Sequence, residues 1–109
     1  MNAISSRGEA WLDSGFSILQ MPGAFTLSIG PFFFRESEAD LVFRVEVDAQ
    51  HCNGAGTAHG GFLATIADVI LGYNINHRIP KEWRIATSNL SVQFFAPARP
   101  GQWLEGKLD

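Results

Sequence analysis

Residues 62–75, FLATIADVILGYNI, are the stretch that most limits what this chain can become. Leu63, Ala64, Ile66, Ala67, Val69, Ile70 and Leu71 leave it almost no polar side, and it is too long for a typical strand. A helix that is apolar all round is normally buried all round, so other elements must wrap it. One ionisable residue, Asp68, interrupts it. An unpaired carboxylate in apolar surroundings is strongly unfavourable, so this acid needs an explanation. It can face a water-filled cavity, pair structurally with an amide or a base, or serve an active site as nucleophile or base.

The rest of the chain supplies the wrapping. In 41–48, Leu41, Phe43, Val45 and Val47 alternate with Arg44, Glu46 and Asp48, the period of a strand with one covered face and one wet face. The polar cluster 36–40 reads as a hairpin turn that pairs 31–35 with 41–48 antiparallel. Upstream, 1–15 reads as a polar lead with a short helix around 9–12 ending at Gly15. Phe16–Leu19 is a brief apolar stretch, closed by Met21-Pro22-Gly23. Downstream, 85–95 alternates again, 96–101 is a turn, and 102–108 begins another strand. The order strand, strand, buried helix, strand, strand predicts an α+β domain whose antiparallel sheet curls around a central helix.

With 109 residues the chain suits one small domain, and so modest a core gains from association with another subunit. Apolar residues at 46% against charged residues at 17% describe a globular chain. A net charge of -3 with scattered basic residues argues against a nucleic-acid partner. Cys52 is the single cysteine, which excludes an internal disulfide and fits a reducing cytosol. No signal-peptide core and no apolar run of about 20 residues is present, so the expectation is a cytoplasmic protein with no membrane partner.

Between strand and helix, residues 49–61 read AQHCNGAGTAHGG, four glycines and almost no bulk. Gly60 and Gly61 stand at the helix start, where the first amides have no intrahelical acceptor. Without Cβ atoms a substrate carbonyl can come close, and free N–H groups at the positive helix end would stabilise its oxyanion. Tight packing of helix on sheet would equally account for two glycines. Asp68 lies eight residues beyond Gly60, about 12 Å along one helix. That is far for one small carbonyl, so an acid and amide acting together would come from two chains.

Asn53-Gly54-Ala55-Gly56-Thr57-Ala58-His59-Gly60-Gly61 followed by Thr65 and Asp68 resembles the signature of PaaI-type hotdog thioesterases, relatives of the phenylacetyl-CoA and 4-hydroxybenzoyl-CoA thioesterases. The resemblance extends through Gly30-Pro31, the 41–48 strand and 94–101, FFAPARPG. It implies a hotdog domain over 25–109 behind a lead of 1–24, and a dimer or tetramer with sites between subunits. The implied substrate is an acyl-CoA, hydrolysed without cofactor or metal. It further implies Gly60 as the amide that polarises the carbonyl and Asp68 as nucleophile or general base. Asn53 would orient water or acyl group, Thr87 would help hold the water, and His59 and Gly61 would border the substrate.

Other candidates reduce to simpler roles. His59 reads as a residue that fixes its turn, and His51 and Cys52 lack a clear partner for nucleophilic catalysis. Arg84 or Arg99 could meet a phosphate, although a solvated arginine explains either. Hotdog domains of this type continue with one or two more long strands, so the resemblance also implies a domain incomplete at its C-terminus. Two other functions stay open: an acyl-CoA binder without turnover, and an enoyl-CoA hydratase, which usually needs an Asp/His pair.

Overall fold

A computed structural model describes residues 4–109; residues 1–3 of the polar lead lie outside the described residues. Helix α1 (Ser6–Asp13) is followed by β1 (Ser17–Ile18), the short helix α2 (Ala24–Ile29), and the hairpin β2 (Phe32–Ser37) and β3 (Asp40–Glu46). Helix α3 (Gly60–Arg78) and strand β4 (Trp103–Gly106) complete the order. The four strands form one antiparallel sheet in the order β1-β2-β3-β4.

The hairpin register assigns the two faces. Phe32 opposes Val45, Phe34 opposes Phe43, and on the other side Val45 opposes Leu104. These residues and Leu41 face α3 and meet Phe62, Ile66 and Ile70 in the main core. Strand β4 approaches so closely that a Cβ at Gly106 would collide with Ile70. Each fully buried side chain here contributes about 1.5–3 kcal/mol relative to exposure.

The helix is not buried all round. Phe62, Ile66, Ile70 and Asn74 are its buried residues, a stripe at spacing four, whereas Leu71 and Ile75 are exposed. One sheet covers one side of a helix, and among the described residues no second layer covers the other. Asn74 ends the stripe, fully buried, and behaves like a neighbouring strand. Its Oδ1 accepts from the Leu41 N–H at 2.8 Å, and its Nδ2 donates to the Leu41 and Ile70 carbonyls at 3.1 and 3.0 Å. The two hydrogen bonds to Leu41 fix both the depth and the rotation of α3 against the start of β3.

The other face of the sheet, expected wet, is covered too. Trp11, Phe16 and Phe33 form a second cluster under α1, with Gly8 set against the Phe33 ring. Arg44 lies over the rings of Phe16 and Trp103, at 4.4 and 4.8 Å, and binds Glu105 at 2.8 Å. Aromatic faces and a carboxylate satisfy a cation that alternation alone would assign to solvent. The lead thus supplies α1 and β1, and β1 joins the sheet.

The expected strand over 85–95 does not form. The segment is irregular and mostly exposed, Phe95 at 89%. A strand exists only with a partner for its N–H and C=O groups, and among the described residues none lies beside it. It runs instead along the bare side of α3.

Candidate active site

The glycine-rich loop is pinned before it reaches the helix. Asp48 and His51 bracket the 3₁₀ turn Ala49–His51, with the Asp48 N–H donating to His51 Nδ1 at 3.0 Å. The Nε2 of His51 donates to the Ile29 carbonyl at 2.8 Å, and its ring stacks on Phe62 at 3.9 Å. This histidine, for which the sequence offered no partner, is 3% exposed and occupied at both nitrogens. It ties α2, the loop and the first turn of α3 together. The imidazole uses both ring nitrogens and its face there, a role invisible without the neighbours.

Asn53 organises the loop itself. Its Oδ1 accepts from the Ala55 N–H at 2.9 Å, and from the Thr57 N–H and hydroxyl at 3.3 Å, an Asx turn. The Asn53 N–H donates to the Thr57 carbonyl, which closes the loop before the Cys52–Ala58 bridge. With the carbonyl end committed, the amide Nδ2 is the end of Asn53 that remains for a ligand.

His59 caps α3, its Nδ1 accepting from the Gly61 N–H at 2.7 Å. The amide proton of Gly61 is therefore taken up within the turn. Gly60 is the first helical residue, and among the described residues no acceptor meets its N–H. The ring of Phe94 lies about where a Gly60 side chain would make ordinary contact, 3.5 Å from an ideal Cβ position. Gly60 opens onto a cleft of ≈ 320 Å³ walled by Leu63, Phe94, Phe95 and Pro97.

Asp68 sits on the opposite side of α3 from the packed stripe, about 180° around the helix at 100° per residue. It is half-buried, and Thr87 donates its hydroxyl to Asp68 Oδ1 at 2.6 Å. Both residues border a cleft of ≈ 200 Å³ together with Tyr73, Asn76 and Ile85. Of the six residues singled out, the structure brings together Asp68 with Thr87, and His59 with Gly60 and Gly61. Asn53 stays on its loop. Within one chain Gly60 and Asp68 open onto different clefts.

Among the described residues no three His, Cys, Asp or Glu side chains assemble as a metal-ligand set. Among them no helix is long and apolar enough to cross a membrane.

This arrangement has relatives. Residues 55–108 match the family model of the Thioesterase superfamily. A mutant structure of the phenylacetic acid degradation protein PaaI from Thermus thermophilus is similar, with a TM-score of 0.59 and 30% identity over 76% of this chain and 69% of that one. A Pseudomonas aeruginosa protein named as a candidate esterase is 44% identical over 71% of this chain and 58% of its own length. One from Caenorhabditis elegans, named likewise, is 35% identical over 63% of this chain and 40% of its own. The chain therefore spans less than two thirds of either of these curated relatives. An antiparallel sheet laid on a central helix entered by the His59-Gly60-Gly61 turn is the hotdog thioesterase fold. The chain belongs to the Thioesterase superfamily, with the PaaI-type architecture.

Proposed function

We propose that this chain hydrolyses an acyl-CoA to the free acid and CoA, at a site made from two copies of the chain. The observation that carries the reading is the Thr87 hydroxyl donating to Asp68 Oδ1 at 2.6 Å on the bare side of α3. A carboxylate fixed at one oxygen presents the other to a reactant, and a half-open cleft supplies room for it.

The steps follow from the groups present. Asp68 takes a proton from water as its oxygen adds to the thioester carbonyl, or adds to that carbonyl itself. The Gly60 N–H of the second copy, at the positive end of its α3, bonds to the oxygen as negative charge develops. Asn53 Nδ2 donates to the acyl oxygen or the attacking water. The C–S bond then breaks and the thiolate takes up a proton. In the direct route, water next hydrolyses the aspartyl anhydride. His59 keeps the turn that aims Gly60. Two copies are required because one helix separates the amide from the acid by about 12 Å.

Thiol release from aromatic and medium-chain acyl-CoAs tests this, with wild type compared against Asp68→Ala. Turnover lost in the variant, at unchanged fold and assembly, is the expected result. A folded wild type that binds acyl-CoA without releasing thiol overturns the enzyme and leaves a binding protein. Hydration of an enoyl-CoA would identify a hydratase.

A further inference from the structure

The cleft beside Asp68 does not end at Thr87. Asn76 and Ile85 line it, and they also line a second cleft of ≈ 310 Å³ whose other walls are Lys81, Trp83 and Arg84. The two hollows share a wall and follow one another along the last turns of α3 and the connection beyond. Their chemistry differs. The first offers a carboxylate and a hydroxyl, the second two cations and an indole.

The cations at this end divide into those with an acidic neighbour and those without. Arg78, just upstream, pairs with Asp40, and His77 stands 4.0 Å from Glu36. Among the described residues no carboxylate comes within ion-pair distance of Lys81 or Arg84. Glu82, between them in sequence, is not part of the cleft wall. Trp83 is 60% exposed, a large ring left in water in the cleft that Lys81 and Arg84 also line. A guanidinium grips phosphate oxygens in pairs, an ammonium adds a point charge, and an indole face stacks on a base. That combination fits a phosphorylated nucleotide better than an acyl chain. The volume matches a head group, at the lower end of ligand pockets.

We propose that Lys81, Trp83 and Arg84 seat the phosphorylated nucleotide end of the thioester substrate, on the same chain that supplies Asp68. The inference rests on the thioesterase reading and adds the direction in which the substrate lies. Its reacting carbonyl is at Asp68, its arm passes Ile85 and Asn76, and its anionic head lies on the cation pair. The six residue steps from Thr87 back to Lys81 span at most about 20 Å of extended chain, a distance a linear pantetheine arm can bridge.

The experiment compares two thioesters of one acyl group, on CoA and on pantetheine without the nucleotide. For the double variant Lys81→Ala with Arg84→Ala, KM for the acyl-CoA rises about tenfold or more, the loss of one or two charge-assisted contacts, while kcat holds. The pantetheine thioester is hydrolysed equally by variant and wild type. Equal losses on both substrates, or a loss confined to kcat, overturn the seat. A second arm needs no turnover: adenosine 3′,5′-bisphosphate is titrated calorimetrically into wild type, the double variant and Trp83→Ala. Binding to wild type weakened in both variants keeps the seat even if thiol release is never seen, which would defeat the thioesterase reading alone. Hydrolysis of acyl-CoA together with nucleotide binding that ignores all three residues overturns the seat alone.

Discussion

The two sides of α3 differ in what they have been given. On one, Phe62, Ile66, Ile70 and Asn74 meet the sheet, every buried polar atom of Asn74 is bonded, and Gly106 lets β4 reach Ile70. On the other, Asp68 meets a single hydroxyl, Leu71 and Ile75 face outward, and the 85–95 segment carries Phe94 and Phe95 into solvent. The first side is finished by this chain. The second holds Asp68 and, among the described residues, has no covering layer; in the two-copy proposal this open apolar surface is where the second chain docks. Under the proposed mechanism, stability and chemistry lie on opposite faces of one helix, and substitutions on the two faces should fail differently.

The largest divergence is expected at Asp68. Asp68→Ala should cut thioester hydrolysis by at least about 100-fold, the scale of a lost acid–base or nucleophilic group, with the denaturation midpoint unchanged. A matching loss of stability would mean that the acid is structural and that the two faces are not separate. Asn74→Leu should do the reverse. It leaves the Leu41 N–H and carbonyl buried without partners, costing about 2–4 kcal/mol in urea unfolding. A variant as stable as wild type would remove Asn74 as the residue that sets the helix against the sheet.

Smaller effects refine the contrast. Thr87→Val removes the donor to Asp68 from an exposed segment, so kcat should fall about three- to tenfold, the value of one hydrogen bond, with no change in unfolding. Equal kcat in the variant would make the Thr87 contact incidental. His59→Ala strips the cap from α3 and should cost about 1 kcal/mol of stability. Because the cap also aims Gly60, kcat should drop alongside, the one case in which both faces respond. A stability loss with intact kcat would confine His59 to the cap.

These contrasts bear on what could be read from the residues alone. The 41–48 alternation located β3 and its inward face, and the apolar run located α3, because local periodicity reports burial wherever one sheet meets one helix. The same logic misjudged α3 as buried all round, since composition cannot tell a face covered by the sheet from one left open among the described residues. It also assigned Arg44 to water, because the aromatic residues that cover it, Phe16 and Trp103, come from distant parts of the chain. Residues 85–95 have a strand's pattern, but pairing needs a neighbour that no pattern supplies. At the site, the glycine loop and Asp68 stood out as anomalies. His51 did not, since its two bonds and its stack on Phe62 exist only once α2, loop and helix have met.

The central claim, that the acid and the amide act from different copies, can be tested by mixing two defective chains. Gly60 is the first residue of α3, where proline is well tolerated and the extended backbone of His59 suits it, so Gly60→Pro removes the N–H with little disturbance. Alone, Gly60→Pro and Asp68→Ala should each be inactive. Co-refolded in equal amounts, half of the pairs would be hybrids with one intact site, restoring about a quarter of wild-type activity in a two-fold dimer. Recovery at that level is the predicted result. A mixture of demonstrated hybrids as inactive as its parents would contradict the account, and would return the acid and the amide to a single chain.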